Sequence, residues 1–562
     1  MKKWEVKKTA SKGYAIGPAY VVKKQEVTVD TASISADQVD AEVSRFEAAV
    51  EKAQADLAEL AQENAIFAGH FALAGDIAIH DGVVGKIKDE LMNAEAALMQ
   101  VKDEYVVIFE SMDDEYMRER ASDMKDVSKR LLFALKGIDD NPFAAMKEKS
   151  VIVAQDLTPS DTAKMNMDLV LGFATEEGGV TSHVSIIAKN MAIPCLVGVG
   201  SMLEDVKTGM SMILDAGKGE IFLDPDEAMV AVYKEKAEKF EAFQKELESL
   251  SSLPSETKDG HGFSLCANVG NIEDIKYATQ FQIEGVGLFR SEFLYMESDH
   301  FPTEEEQFEA YKEAAQLLGG KELTIRTLDI GGDKELDYYE FPKEENPFLG
   351  YRAIRMCLDQ TDVFKTQLRA ILRASAFGYI RIMYPMMISM DELTAANHLL
   401  EVCKAELKQE HVAFDEKIQV GMMIETPAAV MMAEEFAQKV DFFSIGTNDL
   451  TQYFLAVDRG NQKIANLYNS FNPAVLRAIY HTIQAGHRHN TKVGMCGEFA
   501  SDEKASKLLL GMGLDEFSMS AGEVARVKYQ LRGCTFEVAE KLADAALKLD
   551  TAEKVLELLE NS

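Results

Sequence analysis

Cysteine is scarce in this 562-residue chain and never paired in sequence: Cys195, Cys266, Cys357, Cys403, Cys496 and Cys534 are scattered, with no C-x-x-C pair. That argues against a disulfide-built scaffold and a thiolate metal cluster, and it points to reduced thiols in a cytoplasmic setting, most of them small core residues. Uninterrupted apolar runs of about 18 residues are also missing, so no membrane span is expected. Met1-Lys2-Lys3-Trp4 is not followed by the apolar core of a secretory signal. Positive charge is in short supply, with 59 Lys and Arg against 94 Asp and Glu, a formal net charge of −35. So acidic a surface speaks against a general nucleic-acid or anionic-membrane binder and suits a basic partner.

What is present is a chain long enough for three or four domains, with 47% hydrophobic residues to build their cores. Gly13-Tyr14-Ala15-Ile16-Gly17-Pro18 reads as a glycine turn feeding a strand. Residues 23–140 then carry apolar positions at helical spacing, among them Val39, Val43, Phe46, Val50, Leu57 and Leu60, and are expected to form an all-helical insert. From about Lys149 the pattern changes to short apolar runs bounded by turn residues, Val151–Ala154, Leu169–Phe173, Ile193–Val199 and Met212–Gly217. These predict a small α/β unit over residues 141–225, which the strand in residues 1–22 could join. Residues 226–254 read as a charged helical linker ending near Pro254.

Within the α/β unit, Glu177-Gly178-Gly179-Val180-Thr181-Ser182-His183 runs straight into an apolar helical pattern. His183 therefore falls in the first turn of a helix, where free N–H groups and the positive dipole end favour an anion. A histidine there could carry a phosphoryl group on a ring nitrogen, with Thr181 or Ser182 capping the helix.

Residues 255–562 alternate strand and helix eight times, with strands predicted at Ser264–Val269, Gly285–Phe289, Leu323–Leu328, Tyr379–Tyr384, Gln419–Ile424, Phe442–Ile445, Lys492–Met495 and Glu516–Met519. Eight such units predict a (β/α)8 TIM barrel, whose ligand site lies at the C-terminal mouth of its strands. Chemistry-bearing residues stand at those ends: Arg290, Arg326, Glu425, Asn448, Asp449 and Cys496, with Lys334 and Arg459 in reach. The arginines suit phosphate or carboxylate, Glu425 and Asp449 suit Mg2+, and the Cys496 thiol could exchange a proton.

The stretches Gly287-Leu288-Phe289-Arg290-Ser291-Glu292, Asp329-Ile330-Gly331-Gly332-Asp333-Lys334, Glu425-Thr426-Pro427-Ala428-Ala429 and Gly446-Thr447-Asn448-Asp449-Leu450-Thr451-Gln452-Tyr453 closely resemble the PEP-utilising enzymes, and among them the enzyme I branch of the bacterial phosphotransferase system. The resemblance spans essentially the whole chain. It implies that His183 is phosphorylated on Nε2, that Arg290, Arg326, Asn448, Asp449 and Arg459 bind PEP with help from Arg352 and Lys334, that Glu425 and Asp449 hold Mg2+, and that Cys496 protonates the enolpyruvate. It further implies a swivelling phosphohistidine domain (1–22 and 141–225), a helical domain docking the carrier protein HPr (23–140), a dimerising barrel (255–562), and a role in the first step of sugar uptake. His70 and Arg120 fall at positions resembling the carrier-docking surface.

One departure stands beside the histidine. Val180 occupies a position where enzyme I usually has Arg, and Lys189 one where Arg is common. The task of steadying the phosphate is expected to pass to Lys189 and the helix N-terminus. Two rival readings are weighed. A PEP synthase or pyruvate phosphate dikinase needs a large nucleotide-binding domain ahead of the histidine, for which there is little room. A non-catalytic PEP sensor would keep the barrel and lose the phosphohistidine.

Overall fold

The computed structural model describes residues 2–22, 29–60, 65–110, 115–138, 141–158, 161–162, 164–179, 182–250, 252–332, 334 and 336–561. The chain divides into two compact units, Met1–Phe243 and Gln244–Ser562.

The first unit holds helices Val39–Leu60, Ala65–Ala74, Ile77–Asp89, Ala94–Glu110 and Glu115–Lys136. Their apolar stripes meet in one core that includes Phe46, Leu57, Val83, Ile87, Leu98, Val101 and Leu131. The Ile77–Asp89 helix starts at Asp76, whose carboxylate accepts from the amides of Ala78 and Ile79 at 2.8 and 3.2 Å, filling donors that a helix start leaves open. The same unit holds an eight-stranded sheet of β1 (Lys2–Glu5), β2 (Thr9–Ser11), β3 (Tyr14–Val21), β4 (Ser150–Ala154), β5 (Val170–Thr175), β6 (Cys195–Val197), β7 (Ser211–Asp215) and β8 (Glu220–Leu223), in the order β1-β8-β7-β3-β4-β5-β6-β2. The opening strand does join the later ones: β3 pairs parallel with β4 and antiparallel with β7. The helical segments thus interrupt the sheet in sequence.

The helix Glu227–Leu250 fills the stretch read as a linker. Its first half is no free spacer. Met229, Val230 and Tyr233 pack with Ile213, Phe222, Tyr14 and Ile16, and Tyr14 meets Phe240 edge-on at 5.8 Å. The division between units falls within this helix, between Phe243 and Gln244.

In the second unit β9 (Ser264–Val269), β10 (Gly285–Arg290), β11 (Glu322–Arg326), β12 (Ile380–Tyr384), β13 (Gln419–Ile424), β14 (Phe442–Ile445), β15 (Lys492–Met495) and β16 (Glu516–Met519) close into a parallel barrel, β16 pairing with β9. The main core lies between the strands and the surrounding helices. Leu288, Met383, Met423, Phe442 and Cys496 form a separate small cluster. Among the described residues no helix is long and apolar enough to cross a membrane, and all six cysteines are free and buried.

Candidate active site

Strand register brings the barrel residues together. β10 and β11 pair Arg290 with Arg326, the last residue of each. β13 and β14 pair Ile424 with Ile445, and β14 and β15 pair Ile445 with Met495. Glu425, Gly446 and Cys496 each follow one of these residues, so three parallel strands deliver them to the same mouth. Gly446 is required there, because a Cβ at this position would lie 2.8 Å from Glu425 Oε2.

The cations are interlocked with buried carboxylates. Arg326 pairs with Glu292 and, at 3.0 Å, with Asp329. Lys334 Nζ is 2.9 Å from both Glu292 and Asp329, and Arg352 Nη2 is 2.9 Å from Asp329. Burial opposes the charge on Asp329 and Glu292, but Arg326 and Lys334 outweigh it and hold both carboxyls below the usual range. Arg352 also donates to the Tyr453 hydroxyl at 3.2 Å. The hydroxyl in turn donates to the Phe348 carbonyl.

Arg290 differs from these. It is half-buried and makes no ion pair or side-chain hydrogen bond among the described residues. The Asn448 side chain is likewise without a hydrogen bond among them, while its carbonyl accepts from Tyr468 Oη at 3.1 Å. Arg459 Nη1 lies 3.9 Å from Asp449 Oδ1.

Glu425 is buried and accepts the Met386 N–H at 2.6 Å. Burial, with repulsion from Asp449 and Asp329 added, pushes its carboxyl up to about 8. Asp449 Oδ1 is buried without a hydrogen bond among the described residues. Two carboxylates that repel each other, one with an unfilled acceptor, form an oxygen donor set that fits a hard divalent cation. The Cys496 thiol is buried, and burial pushes it up to about 11 although Ser444, Arg326 and Arg290 favour the thiolate. It is therefore protonated at neutral pH. Asn268 Nδ2 donates to the Cys496 carbonyl at 2.8 Å and Ser518 Oγ to Asn268 Oδ1 at 2.7 Å, fixing the backbone that carries the thiol.

In the first unit the His183–Asn190 helix opens at His183, as the sequence indicated. Val180, Thr181 and the His183 side chain lie outside what the structure describes. Ser182 is the N-cap residue but makes no capping hydrogen bond. Its hydroxyl lies 2.9 Å from Ser185 Oγ, which donates to the Gly179 carbonyl at 2.8 Å. The Ser182 side chain thus leaves the first-turn amides uncapped. Lys189 sits exposed in the last turn, at the opposite end of the helix from His183. It is poorly placed for the task expected of it. His70 is buried, 3.1 Å from Asp123, and Arg120 lies 3.7 Å from the same carboxylate. The ring is part of the helical core.

Sequence reasoning missed Glu292 and Asp329 as site residues. Their signal was present, an acid two or three positions after each strand-end arginine.

The family profile of the PEP-utilising enzyme PEP-binding domain matches residues 244–536. The chain belongs to the PEP-utilising enzyme family. The family's N-terminal and mobile domains match residues 8–120 and 146–219. Among its relatives, the phosphoenolpyruvate-protein phosphotransferase of Haemophilus influenzae is 45% identical over 560 residues, covering 98% of this chain and 97% of its own. That of Priestia megaterium is 45% identical over 563 residues, covering 98% of both chains. That of Staphylococcus aureus is 44% identical over 562 residues, again covering 98% of both.

Proposed function

We propose that the protein is a phosphoenolpyruvate–protein phosphotransferase that moves a phosphoryl group from PEP to His183 and on to a histidine of the carrier HPr, the first step of phosphotransferase-system sugar uptake in the cytoplasm. The observation that carries this is the barrel mouth, where Arg290, without an ion pair among the described residues, acts electrostatically on a protonated Cys496 thiol amid cations already locked to carboxylates. Arg290, Arg326 and Arg459 receive the phosphate and carboxylate of PEP, with Lys334 and Arg352 behind them. Asn448 contributes its amide and Asp449 its backbone. Glu425 and Asp449 hold Mg2+, which when bound polarises the phosphoryl and carboxylate oxygens.

His183 Nε2 attacks phosphorus, and the bond from phosphorus to the enol oxygen breaks. The Cys496 S–H gives its proton to the methylene carbon, and pyruvate leaves in its keto form. Protonation makes the transfer downhill, so the protein's main contributions are alignment and charge stabilisation. Residues 1–22 and 141–225 serve as the mobile phosphohistidine domain, 23–140 as the HPr-docking domain, 226–254 as the linker and 255–562 as the PEP-binding barrel through which the chain dimerises. The acidic composition supports docking of a carrier with basic residues around its histidine.

The test is pyruvate release from PEP and Mg2+ with an HPr supplied in excess. Continuous turnover that stops when HPr is withdrawn is expected; turnover indifferent to HPr refutes the carrier step.

A further inference from the structure

The helix Thr361–Ala374 buries Phe364, Leu368, Ile371 and Leu372, and among these apolar side chains it also buries one glutamine, Gln367. An amide in such a place is costly unless its hydrogen bonds are made. Gln367 makes them. Its Oε1 accepts from Leu328 N at 2.8 Å, and its Nε2 donates to Ser291 Oγ at 3.0 Å and to Tyr311 Oη at 3.2 Å. The Leu328 N–H can only donate, which fixes the orientation of the amide and the direction of the bonds beyond it. Ser291 Oγ accepts from Gln367 and donates to the Arg326 carbonyl at 2.6 Å. Tyr311 Oη donates at 3.2 Å to Gln307 Oε1, which also accepts from Tyr295 Oη at 3.1 Å.

The groups that Gln367 holds adjoin the barrel mouth. Ser291 stands between Arg290 and Glu292, and Leu328 directly precedes Asp329. The Leu328 carbonyl is held in turn by Cys357 Sγ at 3.8 Å. One side chain thus ties the end of β10 to the end of β11, next to both strand-end arginines and both carboxylates that pair with Arg326. The strands alone do not secure this arrangement. The pairing of β10 shifts between Val286 and Phe289 against β11, and between Val286 and Leu288 against β9. Beyond such an irregularity the ladder below no longer sets the height at which the strand end emerges.

We propose that Gln367 is a positioning residue for phosphoryl transfer, which sets the spacing of Arg290 and Arg326 through Ser291 and the backbone at Leu328. The inference rests on the reading of the barrel mouth as the PEP site. Gln367 hydrogen-bonds to none of the residues assigned to PEP, so its effect is one of alignment. A displacement of about 1 Å in such a site can cost about 100-fold in rate.

The experiment uses the full chain as wild type, Gln367→Met, Ser291→Ala and Gln307→Met. The single-turnover rate of His183 labelling from labelled PEP and Mg2+ is measured across PEP concentrations, beside the denaturant midpoint of each protein. Gln367→Met and Ser291→Ala are expected to lower the maximal rate about 10- to 100-fold, with the half-saturating PEP concentration changed much less. Gln307→Met removes a buried amide from the same network without touching the strand ends. It is expected to lower the midpoint and leave the maximal rate unchanged, as a purely structural role would. Ser291→Ala removes a single oxygen and decides the matter if Gln367→Met does not fold. An unchanged maximal rate in either folded variant, or an equal fall in Gln307→Met, overturns the positioning role while leaving the wild-type labelling intact. Absence of label from His183 in the wild type removes the parent reading and this inference together.

Discussion

Replacing Cys496 with alanine separates the two halves of the reaction. The thiol is buried, and burial pushes it up to about 11, so near pH 7.5 well over 99% of it carries the proton needed at the enolpyruvate carbon. Removing a positioned general acid costs about 10²- to 10⁴-fold in rate. The Cys496→Ala variant should lose PEP turnover by that factor and yet exchange phosphoryl groups between phospho-His183 and HPr at the wild-type rate, since that step needs no carbon protonation. The structural disturbance is small. One sulfur leaves a cluster of Leu288, Met383, Met423 and Phe442, at about 1 kcal/mol. Stopped-flow pyruvate release and phosphoryl exchange with HPr, measured on the same preparation, decide it. Equal losses in both assays would assign Cys496 a structural role. Undiminished pyruvate release would remove it from the chemistry.

Other consequences follow from the same mouth. Arg290→Ala should reduce kcat/KM for PEP about 100-fold, the worth of a charge-assisted contact, without shifting Tm, because Arg290 has no described partner to lose; a Tm drop would show that the side chain is structural. Asp329→Asn should destabilise the barrel by about 3 kcal/mol in denaturant titrations, since Arg326, Lys334 and Arg352 all lean on that carboxylate; unchanged stability would discount the network. Glu425 is raised to about 8 and is protonated at neutral pH in the metal-free protein, so Mg2+ binding releases a proton and calorimetric affinity should climb up to tenfold per pH unit from 6 to 8 and then level off. In the metal-free protein this group's contribution to stability is complete below its unfolded pKa and is lost as pH rises through about 8. Glu425→Gln should abolish the slope, and a pH-independent affinity in the wild type would count against Glu425 as a ligand.

The barrel was legible because its buried parallel strands are apolar runs cut off by turns, so five of its eight strands match their predicted bounds and the others differ by at most two residues at an end. What hydrophobic pattern does not encode went unread. β1 is Lys2–Glu5, mostly exposed and charged, and offers no apolar run. β2 and β8 are three and four residues long. The partners of Arg326 and Arg352 were hidden because a carboxylate's neighbours depend on loop paths; Glu292 and Arg326 stand 34 positions apart in sequence. The sequence also placed hope in Lys189 through its nearness in number, whereas helix geometry carries it about 9 Å along the axis from His183.

The most direct test is to incubate the wild type and His183→Ala with PEP labelled in its phosphoryl group and Mg2+, then quench and map the modified residue. An acid-labile, base-stable label on His183, absent from the variant, is the expected result. No label on the wild type, or undiminished label on His183→Ala, would contradict the account.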